Sequence, residues 1–257
     1  MQVSRAIVEQ QSSNIAKLGA SALVAVEGLL RETGDVEAIP AMMRTVTEAY
    51  STMSAAITAE YYGSIRRASK VKKKYTPEPF SAYDAGKVTA AAISIIDEVV
   101  SGRATAAIAS LLGDVVNRYV KNSADECIRQ NVRRDPAKPR YAIVPNGDAC
   151  AFCVMRASNG YTYATEDAVE SHNHCTCTAT PVFGDSTVQG YDVSGYQQQY
   201  KEAAVAYKNR DYSDEMAERI KAARERHNER YAAGETDKKW SSTNAVLMIM
   251  REQQGIK

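Results

Sequence analysis

The sequence predicts an α+β protein that is mainly α. A long N-terminal helical bundle or hairpin arm leads into a small antiparallel β-element with a Cys/His knuckle, and C-terminal helices follow. Three observations predict this order. Apolar residues recur at helical spacing over most of residues 4–133. That periodicity stops at Asp135-Pro136-Ala137-Lys138-Pro139, where short runs rich in Thr and Tyr replace it. Between Cys150 and Cys177 the chain then gathers four of its five cysteines and two of its three histidines. The expected division is a helical arm or bundle over 1–134 and a small α+β domain over 135–257, with the knuckle at 140–183.

Residues 4–30 predict an amphipathic helix, with Ile7, Val8, Ile15, Leu18, Leu23, Val26, Leu29 and Leu30 on its apolar stripe. Gly34-Asp35 breaks it. Pro40 suits the first turn of a second helix running to about Lys70, whose stripe holds Met42, Met43, Val46, Tyr50, Met53 and Ile57. The linker KKKYTPEPFSAYDAG follows, and Pro77 and Pro79 forbid regular helix there. A third helical region spans roughly 87–133, with Gly102 and Gly113 as points of division or close helix contact. Three long helices with short connections suggest a bundle or hairpin. Arg140–Val144, Tyr161–Tyr163 and Cys175–Val182 read as strands. Helical patterning resumes over about 196–208, 213–232 and 243–253, the second opened by Ser213 with Glu215 and Glu218. Trp240 and the run Ala245–Met250 are expected to pin the last helix to the fold.

Composition fits this architecture without dictating it. The 257 residues are 44% hydrophobic and 25% charged, which is ordinary globular material with enough chain for a sizeable core. A formal net charge of +1 excludes a whole-chain pull toward nucleic acid. The apolar stretches are interrupted by glycine or charge, so no membrane partner is expected. The opening MQVSRAIVEQQSSN has no signal-peptide core, which points to folding in a reducing cytoplasm.

The knuckle carries the most distinctive chemistry. Thiolate and imidazole ligands favour a tetrahedral ion, above all zinc. Cys150-x-x-Cys153 places two sulfurs on one side of an ion, and His172-x-x-Cys175 closes the sphere from a second segment. Cys177 competes for the fourth position, because on a strand Cys175 and Cys177 share a face. His174 is a further candidate, so the potential donors outnumber four positions. The expected cofactor is a structural Zn2+. Disulfides are the rival reading, disfavoured in a reducing compartment. Cys127 lies on a helical segment far from this group and reads as packing.

The same stretch resembles a known family. VPNGDACAFCVMRASNGYTYATEDA followed by HNHCTCTATPVF is similar to the minor head proteins of tailed bacteriophages, more closely to the Mu F-like and VG15-like minor capsid proteins. The shared order is a basic strand into Pro145, Gly-Asp before Cys-x-x-Cys, a Gly-aromatic-x-Tyr segment, and His-x-x-Cys-x-Cys running into Pro181-Val182. It covers about Arg140 to Phe183. The resemblance implies a low-copy structural virion component at the portal or inner capsid surface, assisting head assembly or genome delivery. It also implies the portal protein or major capsid protein as partners, a homo-oligomeric state as one option, and the head interior or portal vertex as location, after assembly in the host cytoplasm.

Two basic clusters are candidate contacts for packaged DNA. One is Arg66, Arg67, Lys70, Lys72, Lys73 and Lys74; the other is Arg129, Arg133, Arg134, Lys138 and Arg140. A charged run at a helix end is commonly just solvated, and no groove-reading motif accompanies either one. The expected contact is weak and sequence-independent. Enzyme signatures are missing: the chain has no phosphate loop, nucleotide-binding glycine pattern or serine-hydrolase elbow. His172-Asn173-His174 spells a nuclease name, but such residues act when spread over a hairpin and helix. Glu166, Asp167 and Glu170 lie near the knuckle and equally suit helix capping. A structural, non-enzymatic role is therefore expected; the alternative is a zinc-binding DNA regulator or nuclease.

Overall fold

The computed structural model describes residues 2–33, 35–102, 108–147, 149–163, 177–234, 236, 238–253 and 255. In chain order the elements are β1 (Gln2–Val3), α1 (Arg5–Glu32), a 3-10 turn (Val36–Ala38), α2 (Ile39–Ala68), α3 (Ala85–Val100), α4 (Ile108–Arg134) and β2 (Arg140–Val144). They continue with α5 (Ala151–Ala157), β3 (Thr178–Val182), β4 (Thr187–Val188), α6 (Val193–Asn209), α7 (Asp214–Ala232) and α8 (Ser242–Gln253). The chain is thus mainly helical with a small antiparallel sheet and C-terminal helices, as the sequence predicts. Packing divides it into two units, residues 1–146 with 161–191 and residues 147–160 with 192–257.

The first unit is built on α1, α2 and α4. The apolar stripes of these helices meet in a core of Ile15, Ala22, Val26, Met43, Val46, Leu112, Val116 and Val120, joined by Val88 and Ala92 of α3. By length and composition alone α1 would qualify to cross a membrane, contrary to the expectation that its interruptions rule this out; here its Ile15, Ala22 and Val26 face this core. The Leu23 side chain of α1 lies over Gly113 of α4, and Asn117 of α4 lies over Gly19 of α1. The expected third helix is two helices, α3 and α4. Gly102, just past α3, takes φ 69°, a left-handed conformation that glycine adopts at no steric cost and that ends a helix.

The linker between α2 and α3 is not loose. Its prolines hold it extended, and side chains of α4 tie it down along its length. Asn131 is fully buried; its Nδ2 donates to Glu78 O, and its Oδ1 accepts from Glu78 N and from the Tyr75 hydroxyl at 2.8–2.9 Å. Ser123 Oγ accepts from Ala82 N at 3.1 Å. Cys127 Sγ donates to Ala55 O at 3.3 Å, and Tyr50 OH ties α2 to Ser21 O of α1 at 3.1 Å. The bonds to Glu78 N and O and to Ala82 N satisfy backbone groups that extended chain lying against a helix would otherwise leave unpaired.

β2 pairs antiparallel with β3, Arg140 opposite Val182 and Val144 opposite Thr178. On the other edge of β2, Tyr163 bridges Tyr141 and their rings stack at 5.3 Å; the expected strand at 161–163 is this single bridge. Tyr61 of α2 bonds Thr180 of β3 at 2.9 Å, so the sheet is fastened to the helices. β1 pairs in parallel with β4, and Arg5 Nη2 donates to Pro145 O at 2.6 Å. Packing therefore groups the strand pair with the N-terminal helices, whereas the sequence division after residue 134 assigns it to the following domain.

The second unit is smaller. Ala151 and Val154 of α5, Ala203 and Ala206 of α6, Met216 and Ile220 of α7, and Ala245, Ile249 and Met250 of α8 share one apolar core. The run Ala245–Met250 does pin α8, with Trp240 half-buried against the same cluster. Caps place the helices: Asp192 Oδ1 accepts from Gly195 N at 2.9 Å, and Ser213 Oγ from Met216 N at 3.1 Å.

Candidate functional site

The Cys-x-x-Cys pair opens α5 instead of forming an isolated turn. Cys150 is the N-cap residue and half-buried; Cys153, in the first turn, is buried. Three residues apart on a helix start, the two side chains lie toward one side of it. Cys177 immediately precedes β3 and is buried; its carbonyl accepts from Lys121 Nζ at 3.1 Å. His172, His174 and Cys175, with Glu166, Asp167 and Glu170, lie outside the described residues. Among the described residues no three His, Cys, Asp or Glu side chains group as metal ligands, and no disulfide joins Cys127, Cys150, Cys153 or Cys177. Cys127 is a packed core thiol; burial, the largest influence, pushes its pKa up to about 11.

The first basic cluster divides in two. Arg66 is interior: its Nε donates to Asp135 Oδ2 at 2.7 Å, and its Nη2 also donates to Lys73 O. Asp135 is fully buried and accepts further from the Tyr62 hydroxyl at 3.1 Å and from Ala137 N at 2.8 Å. Burial first, then the Asp135 carboxylate, drives the Tyr62 phenol far above its usual range. Lys73 is exposed and donates to Pro136 O at 2.9 Å. Arg67, Lys70, Lys72 and Lys74 are exposed. In the second cluster, Arg129 pairs with Glu126, and Arg134 lies 3.4 Å from Glu78 and over the Phe80 ring at 4.2 Å. Arg66 and Arg134 thus stitch the linker to the end of α4, while Arg129 pairs within α4. Nothing in the run of cations signalled the role of Arg66, because Asp135 lies 69 positions away.

A polar cleft of about 550 Å³ lies beside the same linker, with Tyr83, Lys87, Arg118, Asp125 and Tyr141 in its wall. Its charges are mixed, and two of its cations already face carboxylates: Lys87 lies 4.0 Å from Asp84, and Arg129 pairs with Glu126. It therefore presents no single-sign field.

A family model described as VG15 protein matches residues 2–203. The chain belongs to the VG15 protein family. The family is phage-related, and its match runs from β1 into the middle of α6, so it takes in the whole first unit, the Cys-x-x-Cys helix and the strand pair. No curated protein matches the chain. No solved structure matches it either.

Proposed function

We propose that this VG15-family protein is a low-copy minor capsid component of a tailed-phage head. It works at the portal or the inner capsid surface and assists head assembly or genome delivery. The family match over residues 2–203 carries the reading, and the motif order from Arg140 to Val182 supports it. The role is structural, without turnover. Its partners are the portal protein or major capsid protein, with sequence-independent contact to packaged DNA. Quantitative mass spectrometry of purified proheads and virions tests this: low-copy incorporation is expected, and absence from both particles overturns it.

In the same reading Cys150, Cys153, His172 and Cys175 hold a structural zinc, with Cys177 competing for the fourth place. The described pair suits half of such a site, since both thiols sit at one end of α5. Zinc bound there would tie two segments of chain together and contribute to folding. Metal analysis of reduced, freshly purified protein should find stoichiometric zinc that Cys153→Ser loses; metal-free protein overturns the site. The second reading, a zinc-binding DNA regulator or nuclease, is favoured by the exposed Arg67, Lys70, Lys72 and Lys74. DNA binding or cleavage abolished by Cys150→Ser would promote it, and a flat result at low salt removes it.

A further inference from the structure

The C-terminal unit holds a cleft of about 640 Å³ between the end of α6, the turn into α7, the first turns of α7 and Trp240. The family match ends at residue 203, so every residue lining this cleft lies beyond it. Lys208, Arg210, Lys221 and Arg224 contribute four exposed cations. None of the four has an ion-pair partner among the described residues, although Asp214 and Glu218 also line the wall. This contrasts with the linker cluster, where Arg66, Arg129 and Arg134 all face carboxylates.

Aromatic faces accompany the charge. Tyr207 and Tyr212 lie nearly parallel, 12° apart with centroids at 6.4 Å. Trp240 packs edge-on against His227 at 5.7 Å, and His227 Nε2 lies 2.7 Å from Lys238 O, so the indole is fixed from behind. Cations that attract phosphates, set among rings on which bases stack, are the two components of single-strand recognition. The volume falls in the range of small-molecule pockets, roughly 300–1,000 Å³, which admits unstacked nucleotides and not a duplex.

We propose that this cleft binds single-stranded nucleic acid, the cations holding the backbone and Trp240 with the tyrosines receiving bases. The proposal does not rest on the capsid reading. Trp240 is the only tryptophan in the chain, so intrinsic fluorescence reports this cleft directly. Titration of the full chain with a 12-nucleotide oligothymidylate should quench the emission in a saturable manner. With four phosphate contacts at a single-strand slope of about −0.7 each, affinity should fall about 50-fold between 50 and 200 mM salt. The Lys221→Glu/Arg224→Glu variant, altered at exposed positions, should lose most of the quench. Unchanged emission at low salt overturns the proposal, as does equal quenching of that variant. So does equal quenching by free thymidine monophosphate, which would mark a nucleotide pocket, or by polyglutamate, which would mark an acidic-peptide groove.

Discussion

Both units have apolar cores, but they differ in how much polar side chain they bury beside them. The first buries polar and charged side chains, among them Gln11, Ser54, Thr58, Arg66, Ser123, Asn131, Asp135 and Thr180, and nearly every one ties a non-neighbouring segment to a helix. The second has a core of Ala, Val, Leu, Ile and Met. Its buried polar side chains are fewer among the described residues, Arg156 and Ser158 at the end of α5 among them, while the pair of Arg219 and Glu252 at 2.6 Å is substantially exposed. Polar burial follows extended chain. The first unit must hold the proline linker and a strand pair against helices, and only hydrogen bonds can satisfy that backbone. The second packs helix on helix, where the backbone is already satisfied and apolar contact suffices.

The sharpest way to break this contrast is Asp135→Ala. It strands the Arg66 guanidinium without its carboxylate and removes the acceptor for Tyr62, so the first unit should lose about 3–5 kcal/mol in urea unfolding. A loss below ~1 kcal/mol would show the buried network to be incidental.

Alkaline pH probes the same unit. The Cys127 thiol is raised from its ordinary 9.0 to about 11 by burial, and the Tyr75 phenol from 10.0 to about 12, by burial first and then by Asp135. Below pH 9 both groups are protonated, folded or unfolded, and their contribution is complete. Above it the unfolded chain releases these protons first, so stability falls as pH climbs from 9 through 11, by about 3 kcal/mol for Cys127. Cys127→Ala should flatten the part of the slope between pH 9 and 11; an unaltered slope would assign it elsewhere.

Effects in the second unit should be smaller. Arg210 caps α6 with φ 56°, a left-handed conformation that costs a side-chain residue about 1 kcal/mol relative to glycine. Arg210→Gly should therefore raise the unfolding midpoint slightly, and a drop would reveal an unseen contact of the guanidinium. Smallest of all, Arg219→Ala should cost less than ~1 kcal/mol, because an exposed pair is screened. A larger loss would show that surface charge, and not the apolar core, sustains this unit.

Much of the helical frame was legible in the sequence because it is written in local spacing. The stripes of α1 and α2, Pro40 in the first turn of α2 and Ser213 before α7 each report on residues a few positions away. β2 was legible for the same reason. What escaped was long-range or masked by composition. Arg66 reads as one more cation until Asp135 is found beside it, and Asn131 reads as a surface amide until the linker folds onto it. The parallel pairing of Gln2 with Thr187 joins two-residue strands that carry no periodicity at all. α5 was hidden because Cys-x-x-Cys reads first as a pair of metal ligands, although its intervening Ala151 and Phe152 accommodate a helix start as well. The basic–aromatic cleft was invisible because its cations are interspersed with Asp and Glu along α7 and converge only on folding.

The interleaving of the two units has a consequence for biosynthesis. α5 belongs with helices that follow residue 191, and its Ala151 and Val154 are covered only when α6 and α8 arrive. On the order of ninety residues separate Ala151 from Ala245, which at 5–20 residues per second amounts to roughly 5–20 s on the ribosome. Until α6 and then α8 emerge, the apolar residues of this segment have no complete core to join, so a chaperone would meet them before the C-terminus does.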